Sequence, residues 1–146
     1  MPFKFERLEV WKLALDYIDL IYEVAAQLPR SEEYNIRSQI TRAATSIALN
    51  IAEGSTSQTD AEQARFLSMA IRSLIETVAC QHIISRRQLL SDLESLRDVY
   101  RRAETLAAKL PTMRRTLLSN TPSVREDDAP YAALGDSPLL DDAPPF

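Results

Sequence analysis

The sequence predicts an all-α protein, an up-down antiparallel four-helix bundle followed by a disordered C-terminal tail. Three observations carry this. Glycine is nearly absent, with only Gly54 and Gly135 among 146 residues, and β-branched runs are short. Apolar residues recur at helical spacing through four long segments separated by Pro, Gly or Ser/Thr-rich breaks. Finally, residues 38–52 (SQITRAATSIALNIA) carry a single formal charge, Arg42. A helix that is apolar or small nearly all round is a buried one.

The first helix is predicted over residues 5–28. Leu8, Trp11, Leu15, Ile18, Tyr22 and Ala25 form one apolar stripe, and Val10, Leu13, Tyr17, Leu20 and Val24 form another. Two stripes call for two packing partners. Pro29 removes a backbone donor and disfavours a helical Leu28, so the helix stops there. The second helix follows a short connection over residues 29–34 and runs to Gly54. Ile36, Ile40, Ala43, Ile47 and Ile51 gather on one face, and Thr41, Thr45, Ala48, Leu49 and Ala52 on a second. Between them lies a narrow polar seam of Gln39, Arg42, Ser46, Asn50 and Glu53. Gly54 is expected as a left-handed C-cap, with residues 55–59 (STSQT) as the loop.

Thr59-x-x-Glu62 reads as a capping box opening the third helix, which continues to Arg87. Its stripe is Ala64, Leu67, Ile71, Leu74 or Ile75, and Val78, with Arg65, Arg72 and Glu76 on the far side and Arg72/Glu76 spaced to pair. Ser91-x-x-Glu94 is a second capping box at the start of the fourth helix. Leu93, Leu96, Tyr100, Ala103, Ala107 and Leu110 form its stripe, opposite a broad charged face, and Pro111 is expected to kink or end it. The first two helices thus have more apolar surface than one subunit needs, and surface of that kind marks an interface.

These boundaries divide the chain into a bundle domain, residues 1–118, and a tail, residues 119–146. The tail has five prolines, no helical period, and a charge balance of −5 against +1 for residues 1–120. The folded part is therefore close to neutral, and the low isoelectric point gives no argument for nucleic acid. The lone Cys80 excludes an intramolecular disulfide, and neither an N-terminal apolar leader nor a membrane-length apolar run is present. A soluble cytoplasmic protein is the expectation, with no membrane association.

Residues 38–54, with an SQ, an Arg-Ala-Ala, a Ser-Ile and an Asn-Ile-Ala-Glu-Gly at fixed spacing, resemble the signature of a bacterial four-helix-bundle family. The family takes its name from genes within intervening sequences of 23S rRNA. Leu8-x-x-Trp11-Lys12, Phe66-Leu67 and Arg72-Ser73-Leu74-x-Glu76 look similar to it as well, so that the resemblance spans residues 5–110. It implies a homo-oligomeric ring, typically a pentamer. Related proteins include the accessory variability determinant of diversity-generating retroelements, which binds nucleic acid and a reverse transcriptase through a basic ring. In this sequence Thr41 stands where a second basic residue often precedes the Ala pair.

Catalysis has no candidate constellation. Cys80 and His82 lie about 200° apart on a helix and cannot share a metal, and no Glu-x-x-His occurs for a di-iron site. His82, the only histidine, is expected in a packed or half-buried structural role. No phosphate loop or nucleophile elbow is present, so neither a cofactor nor an enzymatic activity is expected. The seam of Ser38, Gln39, Arg42, Ser46, Asn50, Glu53 and Gly54 reads either as a buried hydrogen-bonded network fixing helix register or subunit contacts, or as a ligand or channel lining. Arg86, Arg87, Arg97, Arg101, Arg102, Arg114 and Arg115 read either as a mixed-charge solvated surface or, multiplied by subunit number, as a ring contacting RNA or DNA phosphates. In the tail, Tyr131, Leu139, Leu140 and Phe146 read as a solubilising extension, as a short motif for a protein partner, or as a segment that sits on the domain's own arginines. A scaffold or adaptor for RNA or a nucleic-acid enzyme is the first expectation. An assembly module recruiting a protein through its tail, without nucleic acid, is the second.

Overall fold

Each of the four apolar segments becomes a helix in the computed structural model, which describes residues 3–119 and 143–146. They are α1 (Glu9–Gln27), α2 (Ile36–Gly54), α3 (Asp60–Arg86) and α4 (Glu94–Ser119), with 3-10 turns at Lys4–Arg7 and Arg30–Glu32 and no strand among the described residues. Consecutive helices pack side by side, and α4 closes against α1. Neither α1 and α3 nor α2 and α4 bring their Cα atoms within 8 Å, so these two pairs are the diagonals of an up-down bundle.

The helix ends show where local chemistry decides. Leu28 is extended (φ −70°, ψ 148°), as a residue before proline must be. Its carbonyl is not left orphaned, because Arg37 Nη2 donates to it at 2.9 Å from the first turn of α2. Thr59 caps α3 by accepting from the Glu62 amide at 3.1 Å, while the Glu62 carboxylate accepts from the Gln58 amide rather than from Thr59. At the α3 C-terminus Gln88 takes the left-handed conformation (φ 54°), and the amides of Gln88 and Leu89 donate to Ser85 and Ile84. That is a Schellman closure without glycine.

Three expectations are corrected. Gly54 is not a left-handed cap: no glycine among the described residues has positive φ, and Gly54 is the last residue of α2. Its lack of a side chain serves packing instead, since a Cβ there would lie 2.8 Å from Phe66 Cβ of α3. The Ser91 capping box does not form; α4 begins at Glu94, whose amide donates to Asp92 Oδ1 at 3.0 Å. Pro111 does not end α4, which stays helical to Ser119. Proline deprives the Ala107 carbonyl of its usual donor, but Leu110, Pro111 and Arg114 are buried, and that packing holds the segment helical.

The core runs along Val10, Tyr17, Ile21 and Val24 of α1, and along the expected Ile36, Ile40, Ile47 and Ile51 face of α2. On α3, Leu67, Ile71 and Leu74 are buried while Ile75 is 40% exposed, which settles the Leu74/Ile75 alternative. On α4 the buried stripe is Leu96, Val99, Ala103, Leu106 and Leu110, with Tyr100 only half-buried. Of the ion pairs, the expected Arg72–Glu76 contact is not among those the described residues form, whereas Lys109 Nζ meets Glu9 Oε1 at 2.9 Å across the α1–α4 seam.

One polar network lies inside this core. Thr77 donates to the Leu74 carbonyl (2.6 Å), the Tyr17 and Thr77 hydroxyls are 2.7 Å apart, and Gln81 Nε2 donates to the Tyr17 oxygen (2.8 Å). Tyr17 thereby reaches across the α1–α3 diagonal. Burial pushes its phenol far above the ordinary tyrosine range, against the smaller opposing effect of the Thr77 and Gln81 hydrogen bonds.

Tyr17→Phe leaves the Gln81 amide without its partner and should lower stability by about 1–3 kcal/mol in urea denaturation. The unfolded chain releases the tyrosine proton near pH 10 while the folded chain keeps it, so stability falls as pH rises above about 10. Tyr17→Phe should flatten that alkaline loss. Gly54→Ala forces its Cβ against a Cβ that cannot swing aside and should cost about 1–3 kcal/mol, read by the same denaturation.

Candidate assembly face and basic strip

The α2 seam is not buried within the protomer. Gln39, Arg42 and Glu53 are exposed, Ser38, Ser46 and Asn50 half-buried, and only Gly54 is fully enclosed. Within the protomer the seam forms a short surface ladder. Asn50 Nδ2 donates to the Ser46 carbonyl (2.9 Å) and Oγ (3.1 Å), and the Ser73 hydroxyl donates to Ser46 Oγ at 3.0 Å, tying α2 to α3. Gln39, Arg42, Ala43 and Ser46 line a shallow depression with Ser73 and Glu76 of α3. Ser46 and Ser73 set the register there, while Arg42 projects outward.

Beside the seam lies apolar surface that the monomer does not cover. Leu49 is 55% exposed, Tyr22 53% and Leu15 41%. Tyr22 and Leu49 share a depression with Thr41, Arg42, Thr45 and Ser46, so α1 and α2 contribute to one continuous patch. Val10, Tyr17 and Val24 of the second α1 stripe entered the core, whereas of the first only Ala25 is buried, Leu8, Trp11 and Ile18 pack at the core's edge, and Leu15 and Tyr22 stay outside. Thr41 and Thr45 turn their hydroxyls back onto the Arg37 and Thr41 carbonyls (2.8 and 2.9 Å), presenting methyl groups rather than unsatisfied donors.

The arginines separate into three groups. Arg114 is buried and cannot reach a phosphate, which corrects its place in the basic ring: the helix continues through Pro111 and turns this residue inward. Arg97 Nη1 pairs with Glu94 (2.7 Å), Arg101 Nη1 with Asp98 (3.0 Å), and Arg115 donates to Thr112 (3.3 Å). Arg86, Arg87 and Arg102 are exposed and have no ion pair among the described residues. His82 and Tyr100 set the α3–α4 register with ring centroids 6.4 Å apart, which brings the Arg86/Arg87 end of α3 beside the Arg97 turn of α4.

His82 is exposed rather than packed, because it falls on the outer edge of α3, yet its ring meets Tyr100 and Phe146 edge-on. Cys80 is buried, and its thiol is pushed above the ordinary range first by burial and then by the charge of Glu76. Among the described residues no three His, Cys, Asp or Glu side chains converge to hold a metal ion, and no helix is long and apolar enough to cross a membrane. Tyr131, Leu139 and Leu140 lie outside the described residues. Phe146 lies within them and is half-buried against the bundle.

The Arg37 clamp and the Tyr17–Thr77–Gln81 network have no counterpart in the sequence reading. For the network a signal existed: Thr77 and Gln81 continue the Leu67–Leu74 stripe in core register, where a polar residue needs a partner. For the clamp there was none, since Arg37 resembles any other helix-surface arginine.

No curated protein matches the chain. A family model does match over residues 6–112, from within the 3-10 turn before α1 to Thr112 of α4, and so takes in α1, α2, α3 and most of α4. The chain belongs to the family of 23S rRNA-intervening sequence proteins.

Proposed function

We propose that this chain is a non-enzymatic assembly module: copies associate through the α1–α2 face, and the outer α3–α4 surface of each copy offers arginines to RNA. The observation that carries the reading is the uncovered patch of Leu15, Tyr22 and Leu49 beside the small-residue face of α2. Fully burying an apolar side chain of that size returns roughly 1.5–3 kcal/mol, and these half-exposed ones have about half of that still to gain. A neighbouring copy is the occupant that the family resemblance favours, with a pentameric ring as the expected form. Small residues at Thr41, Thr45 and Ala52 permit the close helix approach such a contact needs.

Arg86 and Arg87 at the end of α3 support the RNA-binding half, repeated once per subunit, and Arg102, about 200° round α4 from the Tyr100 that meets α3, adds charge on a separate face. Arg86 and Arg87 in one protomer are a weak phosphate site, and the same pair around a ring is a strong one. The partner is therefore RNA, or an RNA- or DNA-processing enzyme such as a reverse transcriptase carrying its nucleic acid to the same surface. Recruitment of a protein through the tail is the second reading. It is weakened by Phe146, which is engaged with the chain's own bundle.

Leu49→Arg places a charge in the middle of the contact and should shift the assembly to single folded copies in native mass spectrometry and sedimentation velocity, with helicity unchanged. A wild-type chain that already runs as a monomer at micromolar concentration overturns the reading. RNA affinity should fall steeply between about 50 and 200 mM salt. Replacing Arg86, Arg87 and Arg102 together by Ala should weaken binding uniformly across RNA sequences and flatten the salt slope.

A further inference from the structure

The described end of the chain, residues 143–146, does not stand free of the bundle. Phe146 meets His82 of α3 with ring centroids 5.5 Å apart and an interplanar angle of 82°, and meets Tyr100 of α4 at 5.6 Å and 78°. His82 and Tyr100 are themselves edge-on, so the three rings close into a triangle of edge-to-face contacts. Each such pair contributes about 0.5–1.5 kcal/mol beyond its buried area. A directional bond fixes the segment further: Arg97 Nε donates to the Phe146 main-chain oxygen at 2.8 Å, while the same guanidinium holds Glu94 through Nη1. Two of the five N–H donors of that guanidinium are then committed to protein acceptors.

We propose that the α3–α4 groove formed by His82, Tyr100 and Arg97 is a docking site for a short aromatic peptide, that its resident is this chain's own residues 143–146, and that the docked segment is a brake on phosphate binding. Tether arithmetic favours the chain's own segment. The helical path from Arg97 to Ser119 is about 33 Å, and the chain from Ser119 to Phe146 can reach about 90 Å. A tether of that length gives an effective concentration on the order of millimolar. Even a modest aromatic site is filled under that condition.

The brake has two parts. The His82–Tyr100 contact sets the Arg97 turn of α4 level with the Arg86/Arg87 end of α3, and docking keeps the Arg97 Nε from a phosphate oxygen. Asp141 and Asp142 directly precede residue 143 in the chain, so a docked 143–146 segment brings negative charge with it. The docking site stands on the ring and hydrogen-bond geometry. The brake rests on the RNA-binding reading above, and the test separates the two.

His82 is the only histidine, so its ring protons give isolated NMR signals that report the site without assignment of the rest. In the full chain, nuclear Overhauser cross-peaks should join the His82 and Phe146 rings. Phe146→Ala should abolish them and move the His82 signals, with helicity unchanged, and Phe146→Tyr should restore the contact. Phe146→Ala should also tighten RNA binding at low salt by roughly two- to tenfold, as expected when a half- to nine-tenths-closed site is opened. Unmoved His82 signals overturn the docking site. Moved signals with equal RNA affinity overturn the brake. If neither protein binds RNA while the His82 signals still move, the docking site stands and the RNA-binding reading falls.

Discussion

Helices α2 and α3 share the most extensive contact in the bundle because the residues between them are small. Gly54 lets Phe66 close in to a distance no Cβ would tolerate, and Ala43, Ala44 and Ala48 are buried alongside. Ser46 and Ser73 bond hydroxyl to hydroxyl where longer side chains would hold the helices apart. With α2 pressed that closely onto α3, its isoleucine face fills the interior. Its opposite edge, bearing Thr41, Thr45 and Leu49, is left at the surface beside Tyr22 of α1. The uncovered face is thus a by-product of how the core is built. Interior and exterior are two sides of one steric constraint.

The Tyr17 network adds what apolar packing alone does not. Leucine and isoleucine faces tolerate sliding by a turn, since one apolar side chain replaces another at small cost. A phenol that must meet both Thr77 and Gln81 across the diagonal does not. The network therefore fixes how α1 stands relative to α3, two helices whose Cα atoms nowhere come within 8 Å. Arg37 performs a related task at the end of α1, holding the last carbonyl before Pro29 and so the angle at which α2 departs.

Much of this was legible in the chain. Helix number, order and topology followed from apolar spacing and from Pro29 and Thr59, because these act within a few residues of where they stand. The double-faced character of the first two helices was legible for the same reason. Which of two faces turns inward was less so: Leu15 and Val24 have comparable sequence credentials, and only the neighbouring helix decides between them. Pro111 and Arg114 failed as local signals because tertiary packing outweighed proline's cost and carried an arginine inside. Gly54 was correctly singled out but for the wrong physics, closeness rather than backbone handedness. The residues around His82 could not have been paired with Phe146 from spacing, since 64 positions of chain separate them.

Cys80 draws a last consequence from the tightness of this interior. Its sulfur is sealed one residue from Gln81, at the heart of the diagonal brace, and holds its proton more firmly than a free thiol. An alkylating reagent can meet it only in moments when α3 parts from its neighbours. The single cysteine is therefore a built-in clock for breathing of the bundle, and its rate of labelling counts how often the four rods come ajar.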